Sequence, residues 1–365
     1  MVEHRGPYQR DVRRGSIMRI AYLSHVSSRW IKQRPHFLSE ALGRIEGVDI
    51  AFFDSLFVKR GRLVKDQRLA VPVRHLPLVP QRLRDRLKAA DVVLSTVSAL
   101  LLLVLWRPDI VIVTHARHQR LVRVLRAARV RIVYDCMDLN REFSDATQAD
   151  VDAESRLRAA AAVVWCSSTA IAEDVRSTHP RTKTQVVRNA LDRASAESVF
   201  VAPGAVEVGT VRYIGTVSEW FRFEDVLALL DADPDVRVEL VGPTDVRIPN
   251  HPRLIAIGPK PHAEVLSLMA TSDVLVMPFE ITPLVLGVDP VKVYEYVVSG
   301  RPVVCSDYPE LAHFGSDISR VSGTESFVSA VLAGVGAPRR TQADVRSFVD
   351  QNNWDTRARS ATGAL

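Results

Sequence analysis

Two side chains of opposite charge, Lys292 and Glu295, lie three residues apart in DPVKVYEYVVSGRPVV, the stretch from Asp289 to Val304. Residues with this spacing share one face of a helix, and Pro290 suits its first turn because proline has no N–H to leave unbonded. A helix start favours anions, and a lysine there adds positive charge that a diphosphate would neutralise. The pattern therefore predicts that Lys292 binds a diphosphate and that Glu295 accepts hydrogen bonds from ribose hydroxyls. A plain ion pair, worth about 0.3–0.5 kcal/mol, is the alternative.

The elements that would position this pair alternate between short apolar runs and amphipathic stretches. The apolar runs predict strands, and the stretches with apolar residues at helical spacing predict helices. We predict strands at 19–25, 48–55, 109–115, 131–138, 161–168, 185–192, 210–217, 236–243, 254–258, 273–279 and 301–307, and helices at 34–45, 118–129, 150–160, 262–272 and 290–299. Continuous apolar strands separated by helices predict an α/β fold with parallel sheets covered on both faces.

The pattern is interrupted once, which predicts two Rossmann-like domains, as the length of 365 residues also suggests. The predicted organisation is a disordered tail over 1–17, a first domain over 18–192, an irregular linker over 193–209, a second domain over 210–345, and a C-terminal helix and tail over 346–365. Two such domains would face each other across a cleft. Because open α/β sheets bind ligands at the carboxyl ends of their strands, we expect functional residues in the loops that follow the strands.

The composition is that of an ordinary globular protein, with 47% hydrophobic and 25% charged residues. Cys136, Cys166 and Cys305 are too few and too scattered for a disulfide framework or a zinc site, so we predict buried free thiols. The longest apolar run, Val92 to Trp106, is shorter than the roughly 20 residues of a membrane-spanning helix, and we interpret it as a core helix. The polar N terminus lacks the pattern of a signal peptide, which favours a cytoplasmic protein.

Positive charge is concentrated in the first half of the chain. Residues 1–190 carry 33 Lys and Arg against 19 Asp and Glu, whereas residues 191–365 carry 15 against 23, within a net charge of +6. Basic amphipathic helices predicted at 82–91 and 117–129 indicate an anionic partner, for which we predict a membrane surface. Nucleic acid is disfavoured because few aromatic residues are interleaved with these arginines. A basic surface that is merely solvated is the alternative.

Taken in order, many of these stretches resemble retaining GT-B glycosyltransferases of group 1 (family four), especially those of teichuronic-acid and capsule synthesis. The stretches that carry the resemblance lie within residues 18–357 and are WIKQRPHFLSEAL, YDCMDL, VVRNALD, YIGTVSEWF, ELVGP, SDVLVMPF, DPVKVYEYVVSGRPVV, YPEL and FVDQNNWDTRA. The resemblance implies a GT-B fold and transfer of a sugar from a nucleotide-sugar, held by the second domain, to a glycan or lipid-linked acceptor held by the first. It also implies retention of configuration, no cofactor, and action at the inner face of the plasma membrane.

The resemblance implies roles for individual residues. Glu295 matches the second glutamate of the family's E-x7-E motif, which holds the donor ribose, and Lys292 matches a lysine near the donor phosphates. The implied donor-binding residues are Gly215, Thr216, Gly242, Pro261, Lys292 and Glu295; the implied acceptor-binding residues are His25, Trp30 and Arg34; and the implied catalytic residues are Asp138, Arg222 and Lys292. His115 and His118 are further candidates, although a single histidine is more often structural.

Three features depart from the family's pattern. The first glutamate of the E-x7-E motif would fall at Gly287, and the histidine after the fifth strand would fall at Met137. The basic pair after the Y-x-G strand would fall at Thr216 and Phe221, although the adjacent Arg222 is a substitute. These departures favour, as an alternative, a non-catalytic scaffold of the same fold in polysaccharide assembly.

Metal-dependent chemistry is not predicted. DADPD at 231–235 has the spacing of a D-x-D site but is typical of an exposed acidic turn, and no carboxylate pair is arranged as in a glycosidase. The family's mechanism, in which the departing phosphate takes the proton of the acceptor, is therefore the prediction. A nucleotide-sugar epimerase on the same fold is a second alternative. A dinucleotide dehydrogenase is disfavoured because no G-x-G-x-x-G follows the first strand.

Overall fold

The computed structural model describes residues 17–56, 68–80, 83–84, 86–143, 146–201, 205–363 and 365. The predicted disordered tail lies outside these residues except for its last position. Parts of the segments 82–91 and 193–209 also lie outside them. The fold is described below for the remaining chain.

The first sheet has seven strands in the order β3-β2-β1-β4-β5-β6-β7. These are β1 (Met18–Leu23), β2 (Val48–Ser55), β3 (Val73–Leu76), β4 (Ile110–Val113), β5 (Arg131–Cys136), β6 (Val163–Cys166) and β7 (Thr184–Val186). The helices along the same part of the chain are α1 (Arg34–Gly43), α2 (Lys88–Leu101), α3 (Gln119–Ala127), α4 (Gln148–Ala160) and α5 (Thr169–Thr178). Strand β1 pairs in parallel with both β2 and β4, so the strand order reverses beside β1.

The second sheet has six strands in the order β10-β9-β8-β11-β12-β13. These are β8 (Thr210–Ile214), β9 (Arg237–Val241), β10 (Leu254–Ala256), β11 (Val274–Met277), β12 (Val303–Ser306) and β13 (Ser319–Val321). Its helices are α6 (Arg193–Val201), α7 (Phe223–Ala232), α8 (His262–Thr271), α9 (Pro283–Leu286), α10 (Val291–Val298), α11 (Thr324–Gly334), α12 (Gln342–Gln351) and α13 (Trp354–Thr362). Strand β8 pairs in parallel with β9 and β11, so here the order reverses beside β8.

The prediction of two parallel α/β sheets is confirmed. Their central strands are buried along their whole length, as in IVIV of β4, VLVM of β11 and VVCS of β12, because helices cover both faces of a parallel sheet. The three cysteines are free and buried, as predicted. In such sheets ligands bind beside the strand at which the order reverses, which singles out the carboxyl ends of β1 and β4 in one sheet and of β8 and β11 in the other.

The described chain forms two compact units. Among the described residues, the first unit lies within 17–135 and 153–163, and the second within 136–152 and 164–365. The linker predicted at 193–209 begins with α6 rather than with irregular chain, and the single C-terminal helix predicted from the sequence is two helices, α12 and α13. The domain boundaries derived from the sequence stay predictions.

The segment from Lys88 to Trp106 differs most from its prediction. It is one continuous helical element of 19 residues, in which α2 passes into a π-helical turn at Leu102, and by length and composition it could cross a membrane. The interpretation as a core helix is wrong, because Val104 is 66% exposed and Leu105 is 65% exposed. Of the basic helix predicted at 82–91, residues 82 and 85 lie outside the described chain, and helix α2 begins at Lys88.

Candidate functional site

The head of α10 brings charged side chains to the carboxyl end of β8. The helix begins at Val291, directly after Pro290, and is followed by Gly300 with a φ of +76°, a conformation that glycine adopts without strain at the end of a helix. Its inner face is formed by the buried residues Val293, Tyr294, Tyr296, Val297 and Val298. Packing of that face leaves Lys292 and Glu295 half-buried on the other edge, where a ligand can reach them.

Lys292 reaches from α10 to the loop that follows β8. Its Nζ donates a hydrogen bond of 2.7 Å to the hydroxyl oxygen of Tyr213 and lies 4.3 Å from the centre of the Tyr213 ring and 5.0 Å from that of Phe279. Burial lowers the pKa of Lys292 to about 7, although Glu295 opposes the shift. The amino group is therefore held by aromatic faces and a hydroxyl, none of which carries an opposing charge.

Glu295 lies one turn further along the same edge of α10. Both residues belong to the described chain, and they form no ion pair with each other at 4 Å or less, so the alternative of a plain Lys–Glu ion pair is wrong. Burial raises the pKa of Glu295 to about 7, and Lys292 acts in the opposite direction. Among the described residues the carboxylate has no hydrogen-bond partner, so its oxygens are available to hydroxyl groups of a ligand.

Two glycines leave space for the lysine and for close approach of the backbone. A Cβ atom on Gly215 would lie 2.4 Å from Lys292 Nζ, and one on Gly242 would lie 2.1 Å from the carbonyl oxygen of Gly215. Gly215 and Gly242 directly follow β8 and β9, so two strand ends meet at the lysine. A diphosphate can approach a backbone that carries no side chains, as in other phosphate-binding loops.

Thr216 and Pro261 complete the donor-binding set predicted from the sequence. Thr216 is exposed beside the cluster, and its carbonyl oxygen accepts a hydrogen bond of 2.7 Å from the Tyr213 hydroxyl. Pro261 is the exposed residue directly before α8, an element that is separate from the head of α10. Thr216 therefore lies with the cluster, whereas the role of Pro261 stays a prediction without structural support.

Arg222 precedes α7 and is surrounded by carboxylates. Its guanidinium donates to Asp225 at 3.0 Å and to Glu280 at 2.9 Å, and it also contacts Glu224. The hydrogen bond to Asp225 is the main reason that the pKa of Arg222 is raised. Its charge is thus compensated within the protein, unlike that of Lys292, and a direct role at a diphosphate stays a prediction.

Asp138 is exposed in the chain that follows β5, and its catalytic role stays a prediction. The next residue, Leu139, is buried and lies against Gly287, where a Cβ atom would be 2.9 Å from Leu139 Cδ1. A glutamate at position 287 would therefore displace Leu139. The contact between Leu139 and Gly287 therefore occupies the space that the family's first glutamate would need. At the other departing position, the carbonyl oxygen of Met137 accepts a hydrogen bond from Ser167.

A buried polar network that the sequence did not reveal fixes the start of α10. Asp289 is 3% exposed, and its carboxylate accepts hydrogen bonds from the backbone N–H of Asn189 at 2.5 Å and from the Tyr294 hydroxyl at 3.1 Å. The Asn189 side chain donates in turn to the carbonyl oxygen of Asp289 at 2.7 Å. Burial raises the pKa of Asp289 to about 7. The only sequence signal was an aspartate directly before Pro290, opposite the asparagine of VVRNALD.

The same network contains a set of side chains that could ligate a metal ion. Within the part of the chain that the structure describes, Asp289, Glu310 and His313 bring ligand atoms within 4.8 Å of one another. Glu310 already accepts from Arg188 at 2.8 Å and from the backbone N–H of Thr169 at 2.6 Å. His313 Nε2 lies 3.0 Å from the Tyr294 hydroxyl. These hydrogen bonds account for all three groups without an ion, so we interpret the set as a structural network.

The residues predicted to bind an acceptor lie in the first unit. His25 and Trp30 are half-buried in the loop after β1. Arg34 is only 6% exposed, and its guanidinium is paired with the buried Asp135, with 2.7 Å between Nη2 and Oδ1. Asp135 also accepts a hydrogen bond from the Tyr22 hydroxyl at 2.7 Å. This geometry favours a structural role for Arg34, and its role in acceptor binding stays a prediction.

Comparison with known proteins gives limited similarity of sequence. No protein-family model matches the chain. TuaH of Bacillus subtilis (strain 168), a protein assigned as a teichuronic acid biosynthesis glycosyltransferase, is 26% identical over 208 residues, which is 49% of this chain and 51% of TuaH. The match thus spans about half the length of that curated relative.

Comparison with solved structures covers nearly the whole chain. Sucrose-phosphate synthase from Thermosynechococcus elongatus superposes with a TM-score of 0.71 at 14% identity, over 95% of this chain and 98% of that one. Anabaena HepE in complex with UDP and glucose superposes with a TM-score of 0.64 at 14% identity, over 95% of this chain and 99% of that one. At such low identity the likeness shows the fold alone, and the fold is GT-B, as predicted.

Proposed function

We propose that this chain is a glycosyltransferase that moves a sugar from a nucleotide-sugar donor to a glycan acceptor in cell-surface polysaccharide synthesis. The observation that carries the proposal is the arrangement at the head of α10. A positioned lysine, a carboxylate without a protein partner among the described residues and two glycines at strand ends meet where an α/β sheet binds its ligand. The likeness to TuaH and the GT-B fold support the same conclusion.

Lys292 and Glu295 contact different parts of the donor in this proposal. The ammonium group of Lys292 faces the diphosphate, on which negative charge builds as the glycosidic bond breaks, so it stabilises the transition state more than the bound donor. Glu295 accepts hydrogen bonds from the ribose hydroxyls, which do not change during the reaction. Gly215 and Gly242 let the phosphates approach the backbone.

The reaction we propose retains the configuration of the transferred sugar and uses neither a metal ion nor a cofactor. The acceptor hydroxyl attacks the anomeric carbon as the bond to the nucleoside diphosphate breaks, and its proton passes to the departing phosphate oxygen. Asp138 is proposed to contact the transferred sugar or the acceptor. The charge of Arg222 could act on the donor only if its ion pairs with the nearby carboxylates were broken. We therefore propose that Lys292 stabilises the negative charge of the leaving diphosphate.

The acceptor, in this proposal, is held by the first domain and is linked to a lipid. His25 and Trp30 lie in the loop after β1, beside the strand at which the sheet order reverses. Arg34 fixes the end of β5 through its ion pair with Asp135, and we propose that it contributes to the acceptor site from that position.

Helix α2 supports action at a membrane surface. In the helical segment from Lys88 to Trp106, formed by α2 and the π-helical turn that follows it, the buried residues are mostly small or polar, namely Asp91, Ser95, Ser98 and Ala99, together with Leu102. The exposed residues of the segment are aliphatic, with Val92, Val93, Leu100, Val104 and Leu105 between 50% and 66% exposed. A helix of a protein surrounded by water normally has the opposite arrangement.

Helix α3 packs against α2 and adds positive charge. Arg123, Arg126 and Arg129 are exposed on α3 and its C-terminal end. An aliphatic face beside arginines fits the inner leaflet of a plasma membrane, which is anionic. We therefore propose a peripheral protein on the cytoplasmic side, with α2 lying in the membrane surface.

A thermal-shift panel of nucleoside diphosphates tests the donor site. We expect one of UDP, GDP, ADP or CDP to raise the melting temperature in a concentration-dependent manner, because a ligand that binds only the folded state stabilises it by mass action. Glu295→Ala should reduce the shift. As a matched control, Glu264→Ala removes an exposed glutamate at the head of α8 and should leave the shift unchanged.

The panel also separates the alternatives. A chain that binds none of the nucleotides would be a non-catalytic scaffold, an alternative that the glycine at position 287 favours. A chain that binds UDP and interconverts two UDP-sugars without any acceptor would be an epimerase. Either result would overturn the proposed transfer reaction.

A further inference from the structure

An aspartate and a histidine form a hydrogen-bonded pair at the carboxyl edge of the first sheet. Asp54 is the penultimate residue of β2, His75 is the penultimate residue of β3, and the two lie opposite each other in the parallel pairing. Nδ1 of His75 is hydrogen-bonded to Oδ1 of Asp54. The Asp54 side chain is 2% exposed and that of His75 is 36% exposed. The pair therefore reaches from the interior to the surface at the edge where an open sheet binds ligands.

The loop after β1 is fixed to the same aspartate. The backbone N–H of Ser28 donates to Oδ2 of Asp54 at 2.6 Å. The carbonyl oxygen of the preceding residue, Ser27, lies 2.9 Å from Nε2 of His36 and accepts a hydrogen bond of 2.9 Å from the backbone N–H of Trp30. The turn that carries the half-buried Trp30 is thus held in place by the protein itself.

The surroundings of Asp54 favour its ionised form. Its second oxygen accepts from an N–H group, which stabilises a carboxylate. Arg117, in the chain that follows β4, supplies positive charge: burial lowers the pKa of Arg117 to about 10, and Asp54 opposes that shift. The guanidinium and the carboxylate therefore attract each other. An ionised carboxylate only accepts hydrogen bonds, so the hydrogen bond to His75 needs a proton on the imidazole.

This hydrogen bond fixes the tautomer of His75. In the neutral ring the proton lies on Nδ1, facing Asp54, and Nε2 keeps its lone pair and is an acceptor. Within the part of the chain that the structure describes, Nε2 of His75 has no hydrogen-bond partner. An oriented acceptor on an exposed ring is therefore available to a donor from outside the protein.

We propose that Asp54 and His75 bind a hydroxyl group of a sugar ring in the acceptor. Nε2 of His75 accepts the hydrogen bond, and Asp54 is a positioning residue that holds the ring in the accepting tautomer. The proposal rests on the proposed function, because it assigns part of the second substrate of the same reaction. The bound hydroxyl keeps its proton, so it orients the acceptor and is not the hydroxyl that attacks the donor.

A sugar fits this site better than an anion does. A phosphate oxygen would meet the lone pair of Nε2 with the negative charge of Asp54 behind it, and both repel an anion. A hydroxyl group donates to the lone pair instead. Trp30, on the turn anchored to the same carboxylate, adds an aromatic surface against which the C–H groups of a sugar ring can pack.

NMR signals of the histidine ring nitrogens in the full chain provide a local readout. The signals of His75 are assigned with His75→Gln, and they report which nitrogen carries the proton. We expect the proton on Nδ1 in the native chain. Glucose, galactose and N-acetylglucosamine are then titrated separately, and we expect at least one of them to shift the Nε2 signal of His75 in a saturable manner, because its hydroxyl donates to that nitrogen.

Asp54→Asn tests the positioning role without removing the ring. The N–H of Ser28 should keep the amide oxygen on its side, so the amide NH₂ group faces Nδ1 of His75 and the proton moves to Nε2, which becomes a donor. We expect about tenfold weaker binding of the responding sugar. Asp49→Asn, a half-buried aspartate at the other end of β2, is the matched control and should change neither the tautomer nor the affinity.

His75→Gln keeps the test decisive if Asp54→Asn fails to fold. It removes the oriented lone pair and should also weaken sugar binding about tenfold. Arg74→Gln is its control, because Arg74 is the exposed neighbour in β3 whose guanidinium lies over the Trp106 ring. No saturable shift with any of the sugars, or native affinity in a folded His75→Gln variant, would overturn the proposal. An Asp54→Asn variant that keeps the proton on Nδ1 would overturn the positioning role.

The donor site is tested in the same samples. Binding of UDP, GDP, ADP and CDP is measured alongside the sugars, and none of these nucleotides should distinguish Asp54→Asn from the native chain. A chain that binds a nucleotide while its His75 signals respond to no sugar would overturn this inference and leave the transferase intact. Failure to bind any nucleotide would overturn the transferase itself.

Discussion

Lys292 Nζ donates a 2.7 Å hydrogen bond to the hydroxyl of Tyr213, a residue 79 positions earlier in the chain. The same nitrogen lies against the faces of two aromatic rings. Most buried lysines are paired with a carboxylate, which cancels their charge. Here the charge is oriented but not cancelled, whereas Arg222, directly before α7, is surrounded by three carboxylates. This contrast is the reason that we assign the diphosphate to Lys292.

The affinity for a nucleoside diphosphate should fall as the pH rises above 7. Burial lowers the pKa of Lys292 to about 7, so in the free protein the ammonium group loses its proton as the pH rises through that value. Only the charged form attracts the diphosphate, and each unit above the pKa weakens binding by up to about tenfold. Calorimetric titration with UDP between pH 7 and 8.5 measures this, because the terminal phosphate of UDP is already mostly ionised there.

Lys292→Arg provides the control for the pH dependence. Its guanidinium remains protonated over the whole range, so its UDP affinity should change little with pH. If the native chain and Lys292→Arg respond to pH in parallel, another group is titrating and Lys292 does not face the diphosphate.

Gly215→Ala should weaken the binding of UDP, and its effect on the free energy of unfolding should be the smaller of the two. A Cβ atom there would lie 2.4 Å from Lys292 Nζ, which would push the ammonium group from its position. Because Gly215 has a φ of +149°, alanine also adds backbone strain. Gly336→Ala is the matched control, since Gly336 has a φ of +71° and a Cβ atom added there would meet nothing within 4 Å. We expect about tenfold weaker UDP binding in Gly215→Ala only; equal affinities in the two variants would contradict the packing argument.

Asp138→Asn should lower turnover and leave donor affinity nearly unchanged. Asp138 is exposed after β5, so the substitution removes a charge without opening a cavity. Donor affinity is measured by calorimetry, turnover by release of UDP, and folding by the melting temperature. A large drop in melting temperature instead would show that Asp138 stabilises the loop and has no catalytic role.

The aliphatic face of α2 should bind anionic vesicles. We expect the native chain to sediment with vesicles that contain phosphatidylglycerol and to be released partly by salt, since salt screens only the arginines of α3. Replacement of Val104 and Leu105 by aspartate should weaken vesicle binding about tenfold or more. Val208→Asp, at a valine that is 69% exposed in the second unit, is the control. Equal binding of all three proteins would contradict a role for α2, and equal binding to neutral vesicles would contradict a role for the arginines of α3.

The sequence predicted the sheets and the head of α10 because both depend on local patterns. Apolar runs such as VLVM of β11 predict a buried strand without knowledge of the strands beside it, and VLVM is buried. The spacing of Lys292 and Glu295 places both on one face of a helix whatever the helix packs against. The helix predicted at 290–299 is confirmed as α10, Val291–Val298.

The contacts that the sequence did not predict join residues that are far apart in the chain. Arg34 finds its carboxylate at Asp135, 101 positions later, and Asp289 finds Asn189 100 positions earlier. The run from Val92 to Trp106 was predicted to be buried because it is apolar. Its composition does not show which face of the helix packs against the protein, so the exposure of its aliphatic residues could not be predicted. Along α2 the buried residues Asp91, Ser95, Ser98 and Ala99 are small or polar, whereas Val92, Val93 and Leu100 are exposed.

The steady-state rate of donor turnover in the native chain and three variants tests the central claim most directly. Release of UDP or GDP from a panel of nucleotide-sugars is followed in the native chain, Lys292→Ala and Glu295→Ala, with Lys260→Ala as an exposed-lysine control. We predict that Lys292→Ala lowers kcat by about 30- to 1,000-fold, which corresponds to about 2–4 kcal/mol of transition-state stabilisation, with a smaller effect on KM. Glu295→Ala should raise KM with little change in kcat, because uniform binding is lost. If Lys292→Ala and Glu295→Ala both keep the native kcat and KM, the head of α10 is not the donor site and the account is wrong.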